Sequence, residues 1–143
     1  MAAYTSVQHT NSPLAFTGGG DANMIAFHWQ ITVSAALTAS DTFTFGRVPK
    51  GFRVLGGCLE ASDMEAGTGV TLSVGDAGSA ARLFSAATVA QAGTASTTVA
   101  VAGQHFLYTD DTIITGAAGG SVTTGATGTI NLSLYGRFEG SAS

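Results

Sequence analysis

The sequence is short of charge. Only 10% of its 143 residues are Asp, Glu, Lys or Arg, against roughly 25% in ordinary soluble domains. Interspersed charges keep free monomers soluble, so a chain with so few is predicted to have much of its surface covered by other subunits. A surface coated with Ser and Thr is the alternative interpretation. The positive mean hydropathy of +0.31 favours assembly.

Basic residues, cysteine and long apolar runs are scarce as well. Five Lys and Arg against nine Asp and Glu leave a net charge of −4, so no basic stripe is available to neutralise phosphates and direct nucleic-acid binding is not expected. The single cysteine, Cys58, excludes an internal disulfide, and its Gly and Leu neighbours predict a small buried side chain. No apolar run approaches the roughly 20 residues that span a bilayer, and no secretion signal is visible. We therefore expect a cytosolic chain without a membrane partner.

Clusters of chemically active side chains are rare too. His9, His28 and His105 lack the spacing that brings two imidazoles to one metal ion. The acidic loop at Asp63 and Glu65 does not match a calcium-binding loop and is predicted to be a solvated turn. Neither a nucleophile elbow nor a phosphate-binding loop is present. The sequence predicts no catalytic residue, no metal and no cofactor.

What the sequence does contain is apolar alternation. Every odd position from Ile25 to Leu37 is apolar, which predicts a long half-buried strand. The closing segment 129–138 alternates in the same way. Between them lie shorter β-prone runs, at 42–45, 52–61, 70–74, 97–101 and 105–115. The alanine-rich segment 80–92 is left open between helix and strand, and the glycine-rich segment 116–128 is predicted to be a loose hairpin loop.

This spacing of strands predicts an all-β fold, an antiparallel β-sandwich that is jelly-roll-like with an extended N-terminal arm. We place the arm at residues 1–23, which alternate poorly and end in Gly18–Gly20, and the sandwich at residues 24–143. Arms of this kind often reach partners, and a frayed terminus is the alternative interpretation. The apolar side chains of the arm are the candidate partner-binding residues: Tyr4, Val7, Leu14 and Phe16.

The middle of the chain, VPKGFRVLGGCLEASDMEAGTGVTLSVGDAGSAARLFSAATVAQAG, resembles small structural proteins of tailed-phage heads, of the decoration or cement type. The similarity includes the strand after Pro49, the acidic loop, the Gly75-Asp76 pair and the segment from Arg82 to Phe84. The later stretches HFLYTDDTIITG and GTINLSLYGRFEG are similar to the last two strands of that family, so the likeness covers roughly residues 24 to 138.

The resemblance implies a jelly-roll-like domain that forms a homotrimer on the outer surface of the capsid, after synthesis in the host cytoplasm. Its partners would be the major capsid protein and further copies of itself. The likeness does not include the arm, which we separately expect to bind the major capsid protein or a neighbouring trimer. A decoration or cement protein needs no catalytic residue. Two alternatives remain: a receptor- or carbohydrate-binding module of a head or tail fibre that uses the 116–128 loop, and a small hydrolase that uses His28 or His105.

Overall fold

The computed structural model describes residues 2–6 and 24–139. Nine strands and one short 3₁₀ helix make up the described chain. The strands are β1 (Ala3–Thr5), β2 (Met24–Val33), β3 (Thr42–Val48), β4 (Phe52–Ala61), β5 (Val70–Asp76), β6 (Ser79–Ala87), β7 (Ala95–Ser96), β8 (Thr112–Gly120) and β9 (Gly128–Phe138), and the 3₁₀ helix is Val89–Gln91.

The strands form two facing sheets. One has the order β1-β3-β8-β5-β6 and the other the order β2-β9-β4-β7. Leaving β1 aside, every neighbouring pair is antiparallel, and the eight remaining strands divide into four in each sheet. Two four-stranded antiparallel sheets with long crossovers are the arrangement of a jelly roll. The predicted fold class is confirmed.

The core lies between the sheets, where the period-2 pattern predicted it. In β2 the odd positions Trp29, Ile31 and Val33 are buried while the even positions face solvent. In β9, Ile130, Leu132 and Leu134 are buried opposite them. The alternation ends at Val33, however, and Leu37 reaches the core from a loop instead, so the first long strand is shorter than the sequence suggested.

Cys58 is not a buried side chain, because β4 contains a bulge. The register against β9 shifts between Val54 and Gly56, and an extra residue in one strand reverses which positions face inward. Before the bulge the even positions are buried, and after it the odd positions are. Cys58 therefore lies on the outward side of the sheet, half-buried.

Two further segments differ from what the sequence predicted, and a third, which was left open, is now assigned. Residues 97–101, expected as a strand, are irregular and run into a turn in which the Gly103 amide donates to the Ala100 carbonyl. The glycine-rich segment is strand as far as Gly120, so the loop covers only residues 121–127. Gly116 allows this because a Cβ there would lie 2.9 Å from the ring of Phe45. Segment 80–92, left undecided between helix and strand, forms most of β6 and then the 3₁₀ helix.

Candidate interaction surfaces

The described part of the predicted arm is bound to the domain. β1 pairs in parallel with β3, with Tyr4 opposite Phe43, and the two rings stack at 5.9 Å. Asp41, which is almost fully buried, accepts a hydrogen bond from the Ala2 amide at 2.9 Å. Ser6 donates from its hydroxyl to the Phe45 carbonyl. Residues 2–6 thus form an edge strand of the larger sheet.

The other candidate arm residues, Val7, Leu14 and Phe16, lie outside the described residues. Tyr4 is half-buried and packs against the core. Its role in binding a partner, like that of the other three, stays a prediction.

A buried ion pair between Asp76 of β5 and Arg82 of β6 is connected to the other sheet by Tyr108. Asp76 is 5% exposed and accepts from Arg82 Nε at 2.7 Å, from the Tyr108 hydroxyl at 3.0 Å and from the amides of Gly78 and Ser79. Arg82 also lies over the ring of Phe106, 3.8 Å from its centroid. We call this group of side chains around Asp76 the hub. Asp76 ends β5, and the Tyr108 amide donates a hydrogen bond to the Phe52 carbonyl of β4, so the hub connects one sheet to the other.

The charges of the hub are matched. Burial alone would raise the pKa of Asp76, but the hydrogen bonds from Arg82, Ser79 and Tyr108 outweigh it and hold the pKa below its ordinary value. Burial, together with the nearby carboxylate, raises the pKa of Tyr108. Asp76 is therefore a structural carboxylate whose acceptor positions are occupied.

The acidic loop contains a second structural carboxylate, so the expectation of a solvated turn is wrong for Glu65. Its side chain is 2% exposed and accepts from the amides of Gly69, Val70 and Thr123, at 2.7 to 3.1 Å. Burial alone would raise the pKa of Glu65. The hydrogen bonds from these three amides lower it by more, so the pKa lies below its ordinary value. Glu65 fastens the 121–127 loop to the start of β5, whereas Asp63 is exposed.

The outward side of the sheet with the order β2-β9-β4-β7 is a surface formed by regular strands. We call it the open face; it comprises alternate residues of β2, β9 and β4. Its middle rows carry no charged side chain: Ala26, Tyr135 and Gly56 lie side by side, as do His28, Ser133 and Cys58. The ring of Tyr135 covers Gly56, where a Cβ would overlap it.

Exposed apolar side chains gather at one end of the open face. Among the described residues five large hydrophobic side chains are exposed, and three of them are here: Met24 at 62%, Tyr135 at 45% and Leu55 at 38%. Leu55 and Tyr135 also line a pocket of about 320 Å³, together with Gln104 and His105. Soluble monomers rarely group exposed apolar side chains in this way, which marks the end as a candidate contact surface.

Charges of opposite sign occupy the two ends of the open face. At the apolar end, Glu139 bridges Arg53 at 2.7 Å and also pairs with Arg137. Hydrogen bonds from these two arginines lower the pKa of Glu139 to about 2. Two arginines and one carboxylate leave this end positive. At the other end the charged side chains are carboxylates, Glu60 in β4 and Asp63 just beyond it.

The two histidines among the described residues lie on different segments. His28 is exposed on the open face, and His105 has a left-handed backbone, with φ of 62°. Within residues 2–6 and 24–139, no hydrogen bond links either imidazole to a serine or a carboxylate, and no three His, Cys, Asp or Glu side chains are grouped to hold a metal ion. No helix in these ranges is long and apolar enough to cross a membrane.

Two solved structures are similar to the whole chain. A chain of the capsid asymmetric unit of cyanophage Pam1 is 34% identical, with a TM-score of 0.74, over 90% of this chain and 95% of that one. A chain of the capsid of Ralstonia phage GP4 is 22% identical, with a TM-score of 0.71, over 98% of this chain and 99% of that one, and this similarity shows the fold. No family model and no curated protein matches the chain.

Proposed function

Since this chain belongs to the phage head structural proteins, as its similarity to the Pam1 capsid chain shows, we propose that it is a decoration or cement protein. It binds the outer surface of the head and stabilises the lattice of the major capsid protein. The observation that carries the proposal is the match to the Pam1 capsid chain over 90% of this chain and 95% of that one, at 34% identity.

Surface chemistry supports a binding role over a catalytic one. The buried carboxylates Asp41, Glu65 and Asp76 all accept hydrogen bonds from backbone amides or from Arg82. Arg53 and Arg137 both pair with Glu139. Active sites need convergent ionisable groups that remain available to a substrate. The buried ionisable groups of this domain are instead used to hold the fold, as a non-enzymatic structural protein requires.

A homotrimer suits the proposed role. A closed threefold assembly lets one small protein contact several capsid subunits at once, so weak contacts add up to strong retention. Cement acts by mass action, since a subunit that binds only the mature lattice stabilises it by its binding free energy at every site. In this proposal β1 anchors the start of the arm, and Tyr4, Val7, Leu14 and Phe16 are its contact residues.

Binding to heads that lack this protein tests the proposal. Purified chain added to such heads should sediment with them, saturate at a fixed ratio and raise the temperature at which they rupture. The arm is tested by Leu14→Asp and Phe16→Asp, with Thr17→Asp as the matched control in the same segment. We expect the first two to weaken binding at least tenfold and the control to leave it unchanged. Protein that stays in the supernatant at every concentration would refute the proposal.

The fibre alternative has less support. The glycine-rich segment that would present a ligand site contributes its first five residues to β8, and the remaining loop is fastened at Thr123 by Glu65. A glycan array that remains silent would remove this alternative.

A further inference from the structure

The open face has the composition of a protein interface. Interface centres are rich in Tyr, Met and Arg and poor in Lys, Glu and Asp. Here Met24, Leu55 and Tyr135 are exposed together, Arg137 borders them, and the two middle rows are uncharged. The five exposed large hydrophobic side chains of the described residues could have been scattered, as single surface hydrophobics usually are. Three of them share one end of one sheet.

The charges of the face are complementary to each other. Arg53 and Arg137 lie at one end and Glu60 at the other, with Asp63 just beyond. Glu60 is in register with Asn131, six residues before Arg137 in β9, so the two ends are about 20 Å apart at roughly 3.4 Å per residue. At that spacing they do not neutralise each other, because salt screens charges beyond roughly 8–10 Å.

From these observations we propose that the open face is where one copy of this chain meets the next, with the arginine end of one copy against the Glu60 end of its neighbour. Because the open face carries both signs, a second copy has the complementary charge for each of its ends. A contact that joins two different parts of the surface is heterologous, and it forms a ring when the rotation from one copy to the next closes. The inference therefore rests on the proposed function in one respect, the cyclic oligomer.

The strands of the open face alone are smaller than a standard interface, so the proposed contact includes the flanking loop. Three strands about 4.8 Å apart and ten residues long present roughly 500 Å², below the roughly 800 Å² per partner of specific interfaces. The pocket beside Leu55 and Tyr135, about 320 Å³, adds surface from residues 97–105 and has room for a side chain of the neighbour.

Light scattering on two face variants tests the inference. Met24→Lys and Tyr135→Lys should lower the molar mass from oligomer to monomer, or raise the dissociation constant at least tenfold. Ile113→Lys is the matched control, since Ile113 is 38% exposed on the other sheet, and it should leave the mass unchanged. Met24 is the more exposed of the two, so its variant keeps the test valid if Tyr135→Lys folds poorly. Variants with the wild-type mass would overturn the inference.

A charge swap identifies the neighbour as a second copy. Arg137→Glu and Glu60→Arg should each weaken association, and the double variant should restore it, whereas Asp110→Arg, at an exposed carboxylate outside the face, should have no effect. Absence of rescue would overturn the head-to-tail pairing.

Head binding separates the two proposals. If Tyr135→Lys keeps the oligomer mass but loses head binding, the face contacts the shell, and this inference fails while the proposed function stands. If the wild type does not bind heads but Met24→Lys still dissociates the oligomer, the proposed function fails and the inference stands.

Discussion

Replacing Asp76 by Asn removes the charge of the buried hub while keeping the shape of the side chain. Arg82, with a side chain only 17% exposed, would lose its counter-ion, and Tyr108 would lose a charged acceptor at 3.0 Å. Removing one partner of a buried ion pair costs about 3–5 kcal/mol. We place Asp76→Asn near the lower figure, because the Asn oxygen still accepts from the amides of Gly78 and Ser79.

For a domain of this size about 3 kcal/mol corresponds to a fall of roughly 10 °C in the melting temperature. Scanning calorimetry at fixed protein concentration measures it, since association also shifts the transition. The matched control is Asp110→Asn, an exposed carboxylate, for which we expect a change within about 0.5 kcal/mol. Equal melting temperatures for Asp76→Asn and Asp110→Asn would refute the structural role given to Asp76.

The hub also predicts a pH dependence with a definite sign. The pKa of Asp76 is lowered in the folded state, so its stabilising contribution is present above the unfolded pKa of roughly 3.9 and is lost as pH falls through the lower folded value. The gap in unfolding free energy between wild type and Asp76→Asn should therefore be full at pH 5 to 7 and narrow below about pH 4. A gap that widens in acid would contradict the charge assignment.

Three further predictions concern other parts of the fold. Glu65→Gln should lower the melting temperature and speed amide exchange at Thr123, because a Gln side chain turns one donor toward the three amides that Glu65 accepts from; Asp63→Asn is the control. Gly46→Ala should lower the free energy of unfolding by about 1–3 kcal/mol and shift the fluorescence of Trp29, because a Cβ at this position would overlap the indole. Gly67→Ala is the control and should change neither quantity, because its Cβ would have its nearest neighbour at 3.4 Å. The Cys58 thiol should react slowly with maleimide in the oligomer and faster in Met24→Lys, since it lies on the open face; equal rates would argue against burial of that face.

Local pattern predicted most of the core. Alternation in β2 and β9 identified their buried sides, because the side-chain period of a strand is fixed and both strands run without a bulge against each other. The same reasoning gave the wrong side for Cys58, because the bulge in β4 reverses the alternation and leaves no clear mark in the sequence. Segment 97–101 has the composition of a strand, but its backbone bonds go to β6 and to a turn instead.

The buried carboxylates were beyond sequence reasoning. In the sequence Glu65 is an ordinary loop residue. In the fold its carboxylate accepts a hydrogen bond from the amide of Thr123, which is 58 positions away. The Asp76 hub depends on Tyr108, 32 positions away, in a segment that only tertiary contacts hold in place. The open face was partly foreseeable, since the shortage of charge pointed to covered surface, but which face is covered depends on the pairing of three strands.

A three-dimensional reconstruction of the virus head tests the central claim most directly. The account predicts a jelly-roll density on the outer surface, in groups of three around threefold positions of the lattice, with the open faces turned toward one another. Density for this chain on the inner surface of the shell, or in the tail, would contradict it.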